Sequence, residues 1–282
     1  LLEMLKSGQA AGQTLLLDSA LPYCVGALRN EVNTPILVLV PRPENARRVY
    51  EDLLVWCGEK AEVYQLPEGE TLPFERLLSD DATTHERIRA LAALLSLDSE
   101  HHQVPPIVIA SLAAISQMTL SREIFQNSSH YVTVGQRVNL GALMDLWQKM
   151  GYRVERAVEL PGTASRRGGI LDIYSSGAQL PARIELMGDQ VESIRLFDPT
   201  SQRSVEPVER IFILPAQETL PNLVSLGEVK ERYGNLDLSN CNLETRERIN
   251  EEMTLLLEGH ALDGLGFYRG FFSQGTPLDF LP

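Results

Sequence analysis

The chain has 282 residues, enough for two domains, because single hydrophobic cores usually stop growing near ~250 residues. Its composition is that of a globular protein, and no apolar run approaches the ~18 residues of a membrane span. The formal net charge of −13 disfavours direct binding to nucleic acid, because an acidic surface repels phosphates.

Further compositional features concern location and cofactors. The chain shows no basic start followed by an apolar block and a cleavage site, and Cys24, Cys57 and Cys241 are widely separated. The cysteines fit neither a disulfide framework nor a zinc site. We therefore expect a cytoplasmic protein without membrane partner, metal or other cofactor.

The first part of the chain alternates apolar runs with helical patterns. Ala46, Val49, Leu53 and Trp56 fall at helical spacing, and Thr83 with Glu86 predicts a capping box at the start of a second helix. The predicted strands are Thr14–Leu17, Pro35–Val40, Ala61–Leu66 and Ile107–Ala110. This alternation is typical of a parallel α/β sheet of the nucleotide-binding kind.

The turn after the first predicted strand is where such a sheet would hold phosphates. The pattern required there is G-x-x-x-x-G-K-[ST], whose backbone amides and lysine cradle the phosphates. Asp18–Gly26 offers one misplaced glycine, no lysine, and Pro22 in place of an amide donor. A working nucleotide site is therefore excluded, and a packed turn between strand and helix is expected.

The pattern changes near His130. Tyr131–Val134 is extended, and Asn139 is a candidate cap for a helix that ends before Gly151. Short strands follow, and helical patterns return beyond Pro215. We predict a first domain segment over 1–128, an inserted α+β domain over 129–213, and a return to the first domain over 214–282. Residues 130–213 carry ten basic and ten acidic residues, so the acidic excess lies outside the insert.

The insert contains the clearest local signal, a β-hairpin. Two predicted strands, Ala182–Met187 and Gln190–Phe197, are joined by Gly188-Asp189, which suits a type II′ turn. Period-two alternation puts Ile184 and Leu186 on one face and the arginines on the other. In the second strand it places Val191 with Arg195, on the side that carries the arginines. The module is thus expected to present a surface rather than enclose a pocket.

The sequence shows no residue pattern typical of a catalytic site. His101-His102, His85-Glu86 and the cysteines lack the partners of a metal or nucleophilic site, and Asp172 is expected to make a structural hydrogen bond. Each insert arginine taken alone is more often a plain surface residue. Arg183 and Met187 nevertheless share a strand face, and arginine beside apolar atoms is enriched in protein–protein hot spots. The residues alone indicate a binding module without naming its partner.

Three stretches resemble the bacterial transcription-repair coupling factors. They are ETLPFERL (70–77), RRGGILDIY (166–174) and PARIELMGDQVESIRLFDPTSQRS (181–204). The match continues in order to GFYRGFF and DFLP near the end, and the insert signature is shared with the excision-repair protein UvrB. UvrB keeps a functional phosphate-binding motif that this chain lacks.

The resemblance implies a fold and a partner. The fold would be a RecA-like domain related to helicase domain 1, lacking ATPase motifs and interrupted by an antiparallel α+β domain like UvrB domain 2. The insert would bind UvrA and recruit it to RNA polymerase stalled at DNA damage. The domain that binds RNA polymerase and the ATP-dependent translocase motor that acts on double-stranded DNA would lie beyond residue 282, so this part would not be an enzyme.

The resemblance also implies contact residues for UvrA. They fall on Arg167, before the strand with the ILD sequence, on Arg183 in the hairpin, and on Met187, where well-known members have an aromatic residue. A variant lacking both arginines is expected to fold and to lose binding. Two alternatives stay open, a structural or autoinhibitory clamp whose insert packs on the rest of the full-length protein, and a UvrB-like ATP-dependent helicase.

Overall fold

A computed structural model describes residues 13, 15–32, 34–58, 61–69, 81–95, 104–260, 262 and 264–281. These residues group into two compact units. The first unit lies within 1–68, 89–116 and 280–282, and the second within 69–88 and 117–279. The second unit therefore contains the insert together with residues 69–88, 117–128 and 214–279, and the domain boundaries predicted at 129 and 213 stay a prediction.

The first unit contains a three-stranded parallel sheet. Its strands are β1 (Ile36–Val40), β2 (Val63–Leu66) and β3 (Ile107–Ser111), in the order β1–β3–β2. Ile107 of the central strand lies opposite both Ile36 and Val63. All five β3 residues are buried, which is why this strand reads as a continuous apolar run. The parallel sheet and these three strands are confirmed.

The helices vary widely in length. None of the helices in the described part of the chain is both long and apolar enough to cross a membrane. In chain order they are α1 (Leu21–Arg29), α2 (Pro43–Cys57), α3 (Asp81–Leu94), α4 (Leu112–Ser116), α5 (Arg122–Ser128), α6 (Leu140–Lys149), α7 (Leu226–Gly234), α8 (Leu243–Leu257) and α9 (Arg269–Phe272).

Three local predictions in the first part differ from the structure. Leu15–Leu17 form no strand, and Leu15 is 99% exposed; Thr14 lies outside the described residues. Trp56, predicted on the inner face of α2, is 59% exposed, whereas Ala46, Val49 and Leu53 are buried as expected. Thr83 lies inside α3, which includes Asp81, so it cannot act as the predicted cap.

The second unit contains a six-stranded sheet. The strands are β5 (Arg153–Val154), β6 (Thr163–Arg167), β7 (Ile170–Tyr174), β8 (Ala182–Met187), β9 (Gln190–Phe197) and β10 (Ser204–Pro207), adjacent in the sheet in sequence order. The β5–β6 pair is parallel, and the others are antiparallel. A separate antiparallel pair joins β4 (His130–Thr133) to β11 (Arg210–Ile213).

One face of the six-stranded sheet is covered by α6. The Asn139 side chain accepts a hydrogen bond from the Ala142 amide at 2.9 Å, and Gly151 adopts φ +90° beyond the helix end, so both predicted helix ends are confirmed. Trp147 of α6 is fully buried with Ile184 and Ile194 of the sheet. The antiparallel sheet with a helix on one face confirms the mixed α/β character of the fold.

Candidate functional site

Two glycine turns fix the positions of the candidate contact residues. The β8–β9 hairpin has the predicted strand bounds, and Gly188 adopts φ +67° in its two-residue loop. The β6–β7 turn is Gly168-Gly169, with Gly168 at φ +61°, so that Arg167 lies opposite Ile170. A positive φ is costly for residues with a Cβ, which accounts for glycine at both positions.

The strand register determines which side chains share a face. Ser165 lies opposite Asp172, Asp172 opposite Arg183, and Arg183 opposite Arg195. Residues directly opposite in neighbouring strands project to the same side of a sheet. We call this side the arginine face, and its members include Arg167, Ile170, Asp172, Arg183, Glu185, Met187 and Arg195.

A β-bulge interrupts the predicted alternation of β9. Leu186 pairs with Val191, whereas Glu185 pairs with Ser193, so Glu192 is an extra residue on the β9 side. The bulge turns Val191 into the core, where it is 1% exposed beside Ile184. The prediction that Val191 shares the arginine face is therefore wrong, because a strict period of two cannot pass through a bulge.

A buried aspartate joins two of the three candidate residues. Arg183 donates from Nε to Asp172 Oδ1 at 2.8 Å and from Nη2 to Oδ2 at 2.9 Å. Arg167 donates from Nη2 to the same Oδ2 at 2.6 Å. The Asp172 side chain is only 1% exposed. Its predicted structural hydrogen bonding is thus confirmed, and the partners are the two predicted contact arginines.

The two arginines differ in exposure. The Arg183 side chain is 19% exposed, and its guanidinium lies 4.6 Å from the ring centre of the buried Phe197. The hydrogen bonds that Arg183 donates to Asp172 raise the pKa of Arg183, and burial opposes that change only in part. The Arg167 side chain is 55% exposed. Arg183 is therefore mainly a packed structural residue of the arginine face, while Arg167 is the cation more accessible to a partner.

The third predicted residue lies at the end of the same strand. Met187 is 72% exposed and occupies the last position of β8 before the turn. It lies on the arginine face but is not one of the ion-paired residues Arg167, Asp172 and Arg183. Its contribution to a contact would be apolar area, which its flexible thioether adapts to different partners.

Sequence reasoning missed two features of this site. The first is Phe197, whose ring lies against the Arg183 guanidinium. The second is the sharing of one carboxylate by two arginines from different strands. The Asp172–Arg183 pairing depends on the β7–β8 register, and register is encoded in the fold rather than in local spacing.

The turn at 18–26, where a phosphate-binding loop would lie, is the start of a helix. Asp18–Ala20 form a 3₁₀ turn and α1 begins at Leu21, with Pro22 in its first turn. A Cβ at Gly26 would lie 3.2 Å from the Cys57 Sγ, so this glycine sits in packed helix. His101 and His102 lie outside the described residues. Within the described part of the chain, no group of three metal-ligating side chains occurs.

A second buried ion pair lies outside the insert sheet. Arg87 donates from Nε to Glu218 Oε2 at 2.7 Å, and the side chains are 1% and 3% exposed. Burial disfavours the charged carboxylate, but the charge and hydrogen bond of Arg87, together with the charge of Arg269 and the hydroxyl of Thr119, hold the pKa of Glu218 below its usual value. Because neither side chain reaches the surface, this pair is structural.

Comparison with known proteins shows what the insert and the whole chain are similar to. Residues 131–218 match the UvrB interaction domain. The transcription-repair-coupling factor of Myxococcus xanthus is 30% identical over 98% of this chain, and that of Bacillus subtilis is 32% identical over 77%. UvrABC system protein B of Thermosipho africanus is 27% identical over 95% of the chain. The resemblance read from the sequence is confirmed.

The chain spans only part of each of these relatives. It covers 23% of the Myxococcus protein, 18% of the Bacillus protein and 43% of the Thermosipho protein. The chain is thus similar, over nearly all of its length, to a segment of the DNA-repair proteins called transcription-repair-coupling factors.

Proposed function

We propose that this chain is the part of a transcription-repair coupling factor that recruits the repair protein UvrA, and that the insert at 129–213 is the recruiting domain. The arginine face carries this proposal. It lies inside the segment that matches the UvrB interaction domain, and it presents Arg167 and Met187 to solvent. The opposite face of the sheet is buried under α6 and is not available.

The chemistry of the arginine face suits a protein partner. A cationic side chain next to exposed apolar groups is typical of interaction hot spots. The chain as a whole is acidic, whereas the insert carries balanced charge. The acidic residues outside the insert would repel the phosphates of a nucleic acid, so the arginine face is better suited to binding a protein surface.

The parallel sheet of the first unit supports the proposal that it is a RecA-like domain without ATPase motifs. Its strands follow the nucleotide-binding pattern, but the turn at 18–26 is helical and carries no lysine. We therefore propose that this segment has no catalytic activity. RNA polymerase and double-stranded DNA would be partners of other segments of the full-length protein. That protein would act in the cytoplasm.

Two titrations test this function. Calorimetric titration of the purified chain into UvrA is expected to give saturable binding with a Kd in the micromolar range or below, about −8 kcal/mol or stronger. Titration with ATP and Mg²⁺ is expected to give no heat of binding. Absence of UvrA binding would overturn the recruitment role, and ATP binding would overturn the non-catalytic role.

A further inference from the structure

We infer that Asp172 is a positioning residue that joins Arg167 and Arg183 into one cationic unit, and that this unit binds a single carboxylate of the partner. The inference rests on the proposed recruitment function and names the chemistry of its contact. It concerns a residue that is itself almost inaccessible, with 1% of its side chain exposed.

The first step is geometric. Asp172 accepts a hydrogen bond from Arg183 at Oδ1 and hydrogen bonds from both arginines at Oδ2. One rigid strand residue therefore fixes the guanidinium groups of two neighbouring strands. Without such an anchor each arginine side chain would sample many rotamers, and a partner would have to immobilise both on binding.

The second step concerns the donors that remain. A guanidinium carries five N–H groups in a planar fork. Two groups of Arg183 and one of Arg167 are directed inward to Asp172. The remaining N–H groups of two adjacent guanidinium groups are the kind of donor set that a carboxylate accepts with short, charge-assisted hydrogen bonds.

The third step is the charge balance. Two arginines and Asp172 leave the unit at +1, and the other charged members of the arginine face, Glu185 and Arg195, cancel. One partner carboxylate brings the contact to neutrality. A phosphate with two charges would leave an excess, so the charge balance favours an acidic side chain of a protein.

The positioning role is measurable without any partner. Nitrogen-15 NMR of arginine Nε–H groups is expected to show a slowly exchanging Arg183 signal, because this N–H donates to a buried carboxylate. Asp172→Asn should shift that signal and accelerate its exchange at least tenfold. An unchanged Arg183 signal in Asp172→Asn would refute the positioning role.

The partner measurement uses the same variant with a control for charge. Asp145→Asn makes the same change in net charge on the exposed side of α6, which packs on the opposite face of the sheet. Asp172→Asn is expected to weaken UvrA binding about tenfold, and Asp145→Asn to leave it unchanged. Equal affinity of Asp172→Asn and the wild-type chain would overturn the inference.

A second variant keeps the test decisive if Asp172→Asn does not fold. Arg183→Lys retains the positive charge but cannot make the two-pronged bond to Asp172. It is expected to lose binding to a similar extent, and to make the further loss from Arg167→Ala smaller than in the wild-type chain. Wild-type affinity in Arg183→Lys would show that charge alone matters. Failure of the wild-type chain to bind UvrA would refute the recruitment function while leaving the NMR result intact.

Discussion

The two arginines of the cluster should contribute unequally to the stability of the insert, and Arg183→Ala is the perturbation that shows it. The substitution removes two hydrogen bonds to the buried Asp172 and the contact with Phe197. Hydrogen bonds to charged groups contribute about 1.5–3 kcal/mol, and a guanidinium over a ring adds about 0.5–1 kcal/mol. Asp172 keeps its bond to Arg167, so it does not become an unpaired buried charge.

With each of the two bonds at the low end of its range, we expect Arg183→Ala to lower the free energy of unfolding by about 4 kcal/mol. Arg167→Ala leaves both Arg183 bonds in place and removes a side chain that is 55% exposed. Its expected cost is about 1 kcal/mol, near the upper end for exposed ion pairs. The double variant, which sequence reasoning expects to fold normally, should be the least stable of the three.

Urea unfolding followed by tryptophan fluorescence measures these differences. The chain has two tryptophans, and Trp147 is fully buried in the core of the insert whereas Trp56 is exposed. A Trp56→Phe background thus leaves one reporter inside the module. Equal destabilisation by Arg183→Ala and Arg167→Ala, within about 0.5 kcal/mol, would refute the assignment of Arg183 as the structural member.

Three further predictions concern the same module. Burial lowers the pKa of His130, and a hydrogen bond from Nδ1 to the Ser128 carbonyl at 2.9 Å opposes this only partly, so the unfolded chain binds the proton more readily. The contribution of neutral His130 to the free energy of unfolding is therefore complete above pH 6.5 and is lost as the pH falls below that value. Urea titrations between pH 5 and 8 should show that the free energy of unfolding changes less with pH in His130→Gln than in the wild-type chain. Gly188→Ala forces a Cβ into φ +67° and should cost about 1 kcal/mol, whereas Asp189→Ala in the same turn, where φ is not positive, should cost less. Asn139→Ala removes the cap of α6 and should cost about 1 kcal/mol in the same assay, with Asn139→Ser recovering most of the loss; no loss in Asn139→Ala would contradict the cap assignment.

Local patterns predicted the elements that depend on local chemistry. The hairpin bounds at Ala182–Met187 and Gln190–Phe197 follow from alternation and from a glycine turn. The cap at Asn139 follows from the preference of a side-chain oxygen for free helix amides. The buried run of β3 follows from coverage on both faces.

Features that depend on tertiary contacts were not accessible in this way. Val191 lies in the core because of a bulge, and a bulge leaves no mark in the apolar pattern. Leu15 is apolar yet exposed, and apolar runs alone do not reveal whether a strand finds a partner. The burial of Arg183 depends on the register of β7 against β8, which brings Asp172 opposite it.

The central claim, that UvrA docks on the arginine face, is tested most directly by one comparative titration. UvrA is titrated with the wild-type chain, with Arg167→Ala/Met187→Ala, and with Asp145→Asn as the control on α6. Both altered contact residues are exposed and have little part in the core, so the double variant should remain folded. We predict that it loses UvrA affinity by at least thirtyfold, about 2 kcal/mol, while the control binds as the wild type does. Wild-type affinity in the folded double variant would contradict the account.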